Sequence, residues 1–315
     1  MSRLPLVDLH VHSALSDGHG SLEDVSRHAC GRGLLAVALT DHCDPMDPRR
    51  DYDYAGRLRA ILDAKRAVEN GAGGRDETRH VSAGGSDRLG AGEAWVARAD
   101  EEDARGSAAL VLVGVERGPF PVPGLPEELD IVIGSVHYLT RAVASARRGD
   151  LFNEEFWAAY REDVLKLASD PQVDVLGHIA GYLPMEPLLH PGSTFDERRA
   201  IEREIAARFF DRSWYEAVFS RAAASGKAVE LHCATRTPAP DAVKLGLGLG
   251  VKFSIGSDAH SLDRVGEVSW ALDLLESLGA TENDVFFPES LKHALRGAAN
   301  DCSGQSPRPR GEAPR

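Results

Sequence analysis

Short apolar runs recur along this chain, and nearly every one hands over to an ionisable residue. Leu6, Val7, Leu9 and Val11 make the first, interleaved with Asp8 and His10 and followed by His12. Residues 34–39 are continuously apolar and lead into Thr40-Asp41-His42. Further runs at 109–115, 129–133, 173–176, 228–231 and 251–255 lead to Glu116, His137, His178, His232 and Asp258 with His260. Runs of this length, mostly apolar, predict strands covered on both faces, as in a parallel sheet. Helical periodicity fills the intervals: from Ser21 to near Gly33, then 57–69, 152–167, 196–210, 213–224, 241–249, 265–278 and 288–295. Ser21 and Asp24 stand at capping-box spacing, which predicts the first helix start. Strand and helix alternate with short links, the pattern of βα units.

Two stretches break the pattern. Residues 71–106 are dominated by Gly, Ala, Ser, Asp and Arg and predict a flexible insertion, with a lid over the site as the other reading. Residues 300–315 are rich in Pro, Arg, Gly and Ser and predict a disordered tail. One domain over residues 1–299 is therefore expected. Ionisable groups at the ends of nearly all strands can converge only if the strands form a ring. An open doubly wound sheet would gather its chemistry at one switch point, whereas a parallel barrel gathers it around one face. A single-domain α/β barrel of seven strands, (β/α)7, is the expected fold.

Composition narrows the partners. The 315 residues carry a formal net charge of −13, which disfavours long nucleic acid as a partner. Four cysteines show no CxxC and no disulfide spacing, as expected in a reducing compartment. The ligand-bearing strand begins almost at once, with no charged-then-apolar signal segment, and no apolar run approaches the roughly 20 residues of a membrane span. A cytoplasmic protein without a membrane partner is expected; the sequence sets no oligomeric state.

The chemistry lies in the strand ends. His10 and His12, two apart on a strand, leave the same face and can share an ion, or can be solvated polar ends. With Asp17, His42, Glu116, His137, His178, Asp258 and His260 they make nine candidate ligands, too many for one tetrahedral ion. Imidazoles with a few carboxylates suit zinc, manganese, iron or cobalt better than magnesium or calcium. Ions about 3.5–4 Å apart generate hydroxide at neutral pH and clamp an in-line displacement. Metal-assisted hydrolysis of phosphate esters is the expected reaction class.

These motifs resemble those of the polymerase and histidinol phosphatase (PHP) superfamily. The resemblance is carried by Asp8-Leu9-His10-Val11-His12-Ser13, Ser16-Asp17-Gly18, Thr40-Asp41-His42, Gly114-Val115-Glu116, Gly134-Ser135-Val136-His137, Gly177-His178 and Gly256-Ser257-Asp258-Ala259-His260. It extends from about Asp8 to His260, interrupted by residues 71–106. The last third is similar to the histidinol-phosphatase branch. The resemblance implies a distorted seven-stranded, TIM-like barrel with two to three divalent ions (Zn, Mn or Fe). His10, His12, Glu116 and Asp258 would hold one; Glu116 would bridge to a second with His137 and His178; Asp17, His42 and His260 would hold a third. His19 is an alternative to Asp17. A metal-activated hydroxide would attack phosphorus in a small phosphorylated substrate. A phosphomonoesterase is the first expectation, and a phosphodiesterase or exonuclease-like enzyme acting on short oligonucleotides or nucleoside 3′,5′-bisphosphates the second. A non-catalytic metal-binding module is the third.

The chain departs from that branch where Glu230-Leu231-His232 replaces the usual Glu-Ile-Asn. His232 could be an extra ligand, a substrate contact, a general acid or a replacement for the Asn amide. Asp41 is expected to orient a ligand. Arg236, Arg117 and Arg264 are the candidates for contacting phosphate, since guanidinium binds phosphate oxygens bidentately. Cys43 and Cys233 are read as buried fillers, and His28, His80, His190 and His293 as surface or packing residues.

Overall fold

The structure, a computed structural model, describes residues 4–44, 46, 54–73 and 109–303. In chain order its elements are β1 (Val7–Val11), α1 (Leu22–Gly31), β2 (Ala36–Leu39), α2 (Tyr54–Gly73), β3 (Leu110–Val113), β4 (Val115–Arg117) and β5 (Val132–Gly134). Then follow α3 (Glu154–Leu167), β6 (Val175–Leu176), α4 (Phe195–Phe209), α5 (Arg212–Ala224), β7 (Ala228–His232), α6 (Pro240–Gly248), β8 (Lys252–Gly256), α7 (Ser269–Ser277) and α8 (Glu289–Ser303). Helix α1 starts as its capping residues require: Asp24 N–H donates to Ser21 Oγ (3.1 Å) and Ser21 N–H to Asp24 Oδ2 (3.2 Å). Thr194 and Glu197 open α4 in the same way.

All seven apolar runs form strands, and every ladder is parallel. They do not form the expected closed seven-stranded ring. Eight strands lie in two sheets, β1-β2-β3 and β4-β5-β6-β7-β8. The third run is split at Gly114. Gly114 N–H donates to Leu39 O (2.8 Å) and Val115 N–H to Ile131 O (3.1 Å), so the strand changes neighbour at that residue. A side chain at Gly114 would overlap the Ile131 carbonyl, which is why glycine stands at the break. At the other junction β1 and β8 meet only through the bridge Val11–Ala259 and its flanking bonds, His12 N–H to Ala259 O (2.9 Å) and Asp258 N–H to His10 O (2.8 Å).

Helices cover the outer faces of the sheets. The main core packs Trp157, Phe209, Phe210, Phe219 and Phe253 against strand residues such as Leu9, Ile133 and Ile255. A smaller cluster seats Val25 and Ala29 of α1 on Val37 and Leu39, and a third gathers Ile61 of α2 with Val113 and Val115. The predicted helix over 265–278 begins only at Ser269, because Gly266 (φ 80°) ends a 3-10 turn at Leu262–Arg264. Helix α8 carries on to Ser303, past the expected start of the tail at 300; residues 304–315 lie outside the described residues. Of the expected insertion, 71–73 complete α2 and 74–106 lie outside the described residues. Among the described residues no helix is long and apolar enough to cross a membrane.

Replacing Gly114 by alanine forces a methyl group against backbone. The full chain should lose about 1–3 kcal/mol, read as a lower urea midpoint; an unchanged midpoint would contradict this account of the strand break.

Candidate metal centre

The carboxyl ends of the strands meet at one buried point, and Glu116 occupies it. Its Oε2 lies 3.0 Å from His42 Nδ1 and 3.6 Å from both His10 Nε2 and His12 Nε2. Its Oε1 lies 3.1 Å from His137 Nε2 and 3.0 Å from His178 Nε2. Asp258 is the second hub: Oδ1 stands 3.0 Å from His12 Nε2, 3.5 Å from His10 Nε2 and 3.6 Å from His260 Nδ1. Asp17 comes in from the loop after β1, 3.4 Å from His260 Nε2 and 3.5 Å from His42 Nε2. That loop turns back at Gly18, where a Cβ would overlap the His12 carbonyl. His19, the alternative to Asp17, is exposed and bonds through its backbone N–H to His260 O. All nine predicted ligands are thus in one place.

Their ligand atoms fall into three overlapping groups: His10, His12 and Asp258; His42, Glu116 and His137; and His12, Asp17, His42 and His260. His12 and His42 each belong to two of them. This differs from the partition the resemblance implies, in which His12 served one ion and His42 another. His178 stays beside Glu116 and His137, with His137 Nε2 and His178 Nε2 3.2 Å apart. The chemistry of the donor set fits divalent cations. Asp258 Oδ1 is buried, accepts no well-formed hydrogen bond, and faces imidazole nitrogens. His10 Nε2 and His12 Nε2 approach to 3.2 Å with carboxylate oxygens around them.

The groups perturb one another strongly. Burial raises the Glu116 carboxyl, but His137, His10 and His42 outweigh it and hold the group well below the usual range. Asp258 is held low in the same way by His10, His12 and His232. His10 moves up well above an ordinary imidazole, because Glu230, Asp258 and Glu116 outweigh the effect of burial. Burial and His42 push His12 down, and burial pushes His42 down, leaving both rings neutral and able to bind an ion.

A further layer of buried acids holds the ligands from behind. Glu230 bonds His10 Nδ1 through Oε1 (2.7 Å) and accepts His178 N–H at Oε2 (2.7 Å). Asp8 accepts from Ser257 N–H (2.9 Å), Ser257 Oγ (2.6 Å) and Gly266 N–H (2.7 Å), fixing the segment that carries Asp258 and His260. Both were missed as site residues. The signal was present: each is an acid inside an apolar strand, where an unpartnered charge is costly. Asp41 accepts from Ser13 N–H (2.9 Å), Ser13 Oγ (2.7 Å) and Ser16 Oγ (2.5 Å), so it pins the loop that carries Asp17.

The centre opens into a cavity of about 420 Å³ that is also lined by Tyr182, Met185, Phe195, Arg198, Arg199 and Arg264. Of the three predicted phosphate arginines only Arg264 lines it. Arg117 is fully buried, ion-paired with Asp170 and donating to Gly118 O (2.9 Å) and Phe120 O (3.0 Å). Adjacent strand residues point to opposite faces, so Glu116 and Arg117 cannot both enter the site. Arg236 is exposed and does not line the cavity. Arg198 and Arg199 were missed; Arg199 pairs with Glu202 and lies over the rings of Tyr182 (4.7 Å) and Phe195 (5.3 Å). Burial pushes the Cys43 thiol up to about 12, consistent with a packing role. Five non-glycine residues among those described have positive φ: His178, Ala180, Tyr182, Arg236 and Asp258. All follow the ends of β6, β7 and β8, and such backbone strain concentrates at functional sites.

The scaffold is a parallel α/β one with imidazoles and carboxylates clustered at one end of its strands, a donor set able to hold metal ions. The chain belongs to the PHP domain family, whose profile matches residues 8–216. It is 24% identical over 287 residues to a probable phosphatase of Thermoanaerobacter sp. (strain X514), covering 88% of each chain. A probable phosphatase of Syntrophotalea carbinolica is 27% identical over 290 residues, covering 89% of this chain and 90% of that one. The fold is similar to that of histidinol phosphate phosphatase from Lactococcus lactis, solved with zinc, L-histidinol and phosphate. That match has a TM-score of 0.55 and 17% identity, and covers 88% of this chain and 95% of the other.

Two outcomes check this arrangement. Glu230→Gln removes the charge behind His10 and leaves one acceptor oxygen where His10 Nδ1 and His178 N–H now have two, and should weaken metal binding about 10–100-fold in a titration of the stripped protein. Protons compete with ions for these nitrogens. Burial lowers His260, but Asp17 and Asp258 outweigh it and raise the ring to about 9 in the metal-free protein. His260 therefore keeps its proton below that pH. Apparent affinity at the group containing it should rise with pH up to about 9 and fall on acidification; a flat profile over that window would refute the assignment.

Proposed function

We propose that the protein is a metal-dependent phosphatase of histidinol-phosphatase type, removing phosphate from a small phosphomonoester. The observation that carries this reading is the convergence of nine ligand groups on Glu116 and Asp258 at the inner end of a cavity about 420 Å³ in volume. The names of the relatives support it, as does the neighbour's title, which gives zinc, L-histidinol and phosphate. The cofactors are two to three divalent ions, zinc, manganese or iron. When bound, such ions supply a hydroxide nucleophile at neutral pH and neutralise charge on the phosphoryl oxygens.

The chain's own residues divide the remaining work. His10, His12, Glu116, His137, His178 and Asp258 are buried or nearly so and fix the inner ligand positions. Asp17 and His260 have side chains 36% and 38% exposed and form the edge of the centre that substrate reaches first. Arg264 stands on the cavity wall beside that edge, placed to meet phosphate oxygens. Tyr182, Phe195, Arg198 and Arg199 face the leaving group, while Leu183, Pro184 and Met185 keep water from that wall. On this reading residues 1–299 form one domain. Free Cys30, Cys43 and Cys233 fit a cytoplasmic site of action.

Three arginines on one wall favour a second reading, a phosphodiesterase or exonuclease-like enzyme acting on short oligonucleotides or nucleoside 3′,5′-bisphosphates. Ester hydrolysis by stripped protein reloaded with manganese, zinc or iron, read as phosphate from the monoesters and bisphosphate and as released phenol from the aryl diester, separates the two. Histidinol phosphate, an aryl phosphate, an aryl diester and a nucleoside bisphosphate should be compared, with His260→Ala as control. Metal-dependent turnover of the monoesters, abolished in the control, is the expected result. Turnover confined to the diester or bisphosphate would establish the second reading, and metal binding without any turnover would remove both.

A further inference from the structure

His232 ends β7 where the sequence departs from the branch it resembles, and it is fully buried. Its two nitrogens are both engaged. Nε2 lies 3.1 Å from Asp258 Oδ2, and Nδ1 lies 2.6 Å from Thr235 Oγ1, which is itself 2.8 Å from Thr237 Oγ1. The ring packs edge-on against Tyr182 at 4.9 Å, and Tyr182, not His232, lines the cavity. His232 belongs to none of the three ligand groups and does not line the cavity, which tells against the extra-ligand, substrate-contact and general-acid readings of this residue.

The direction of the bond to Asp258 follows from donor chemistry. An ionised carboxylate only accepts, so the proton of this contact sits on His232 Nε2. Asp258 is then held asymmetrically. Oδ2 is occupied from behind by His232, while Oδ1 accepts no hydrogen bond and points at His10 Nε2 (3.5 Å) and His12 Nε2 (3.0 Å). A carboxylate without the first contact could rotate and offer either oxygen or both. Asp258 also carries a positive φ of 54°, so its backbone leaves it few alternatives once the side chain is fixed. Thr235 braces the ring from the far side, in a loop that closes tightly on Gly181, where a Cβ would overlap both threonine hydroxyls.

We propose that His232 is a positioning residue: through Nε2–H it fixes the Asp258 carboxylate so that one oxygen, Oδ1, is presented to the ion held with His10 and His12. This rests on Asp258 being a metal ligand. His232 thus does the work of a side-chain amide by a longer reach, and Thr235 is the part of the loop that makes the ring stand in one orientation.

The test is titration of stripped full-length protein with zinc or manganese alone, without substrate. His232→Leu removes the donor and should lower the affinity for one ion about 10–100-fold. His232→Gln, whose amide nitrogen falls near the position of Nε2, should restore it to within a few-fold. Thr235→Val, which leaves all ligands in place, should give a smaller loss and serves if the leucine variant does not fold. Ring 15N shifts of His232 in wild-type protein should show a protonated Nε2 in both stripped and loaded forms. Wild-type affinity in His232→Leu while Asp258→Ala loses the ion would overturn the inference alone. Wild-type affinity in Asp258→Ala would overturn the metal assignment with it. A bare Nε2 in the spectra would also overturn the inference.

Discussion

A carboxylate that is 1% exposed has to be surrounded by positive charge or donors, and Glu116 sets that demand at the middle of this molecule. Five imidazoles answer it at 3.0–3.6 Å. They arrive from β1, from the end of β2 and from the loops after β5 and β6, so strands far apart in sequence must finish at the same height. The apolar runs drive burial, but this one group dictates where their ends meet. Glu116, Asp258 and Glu230 are all buried and held ionised among these rings. Without an ion the balance is struck by driving protons onto rings such as His10, and with ions those protons are displaced.

Around this centre the chain separates two tasks. The ligands stand on strand ends, backed by Asp8, Glu230 and His232, which leave them little freedom. The rest of the cavity lining comes largely from elsewhere, from the segment between Tyr182 and Arg199 that enters α4. Substitutions in that segment can alter the shape and charge of the cavity without moving a ligand. A fixed reaction with a changeable substrate is what such a division permits.

Much of this was legible in the residues themselves. Every apolar run became a strand because runs of four to seven residues, rich in Val, Ile and Leu and bounded by polar turns, are too short for helices and suit burial on both faces. The nine candidate ligands were legible because all but Asp17 stand in or shortly after such a run, and convergence was the one arrangement giving them a common purpose. The break at Gly114 was not, since it depends on the approach of the Ile131 carbonyl, a tertiary fact. Arg117 was misplaced although strand alternation already put it on the face opposite Glu116. Asp8 and Glu230 were passed over because they stand inside strands, where buried acids look like interruptions and not supports. Arg198 and Arg199 left no local signal, because which helix entry bends over a cavity is decided by packing, not by period.

The closure between β1 and β8 bears on how the protein is made. Asp8 bonds to Ser257, 249 residues later in the chain, and His10 and His12 meet Asp258 across the same junction. At ribosomal rates of about 5–20 residues per second, the first strand waits on the order of tens of seconds for its partner. Through that interval the growing chain carries an imidazole pair without the carboxylates that complete it. An ion that requires Asp258 can be held firmly only by a chain whose synthesis has passed that residue. The complete set of donor groups therefore comes together only near the end of translation, and a product truncated before Asp258 would lack it.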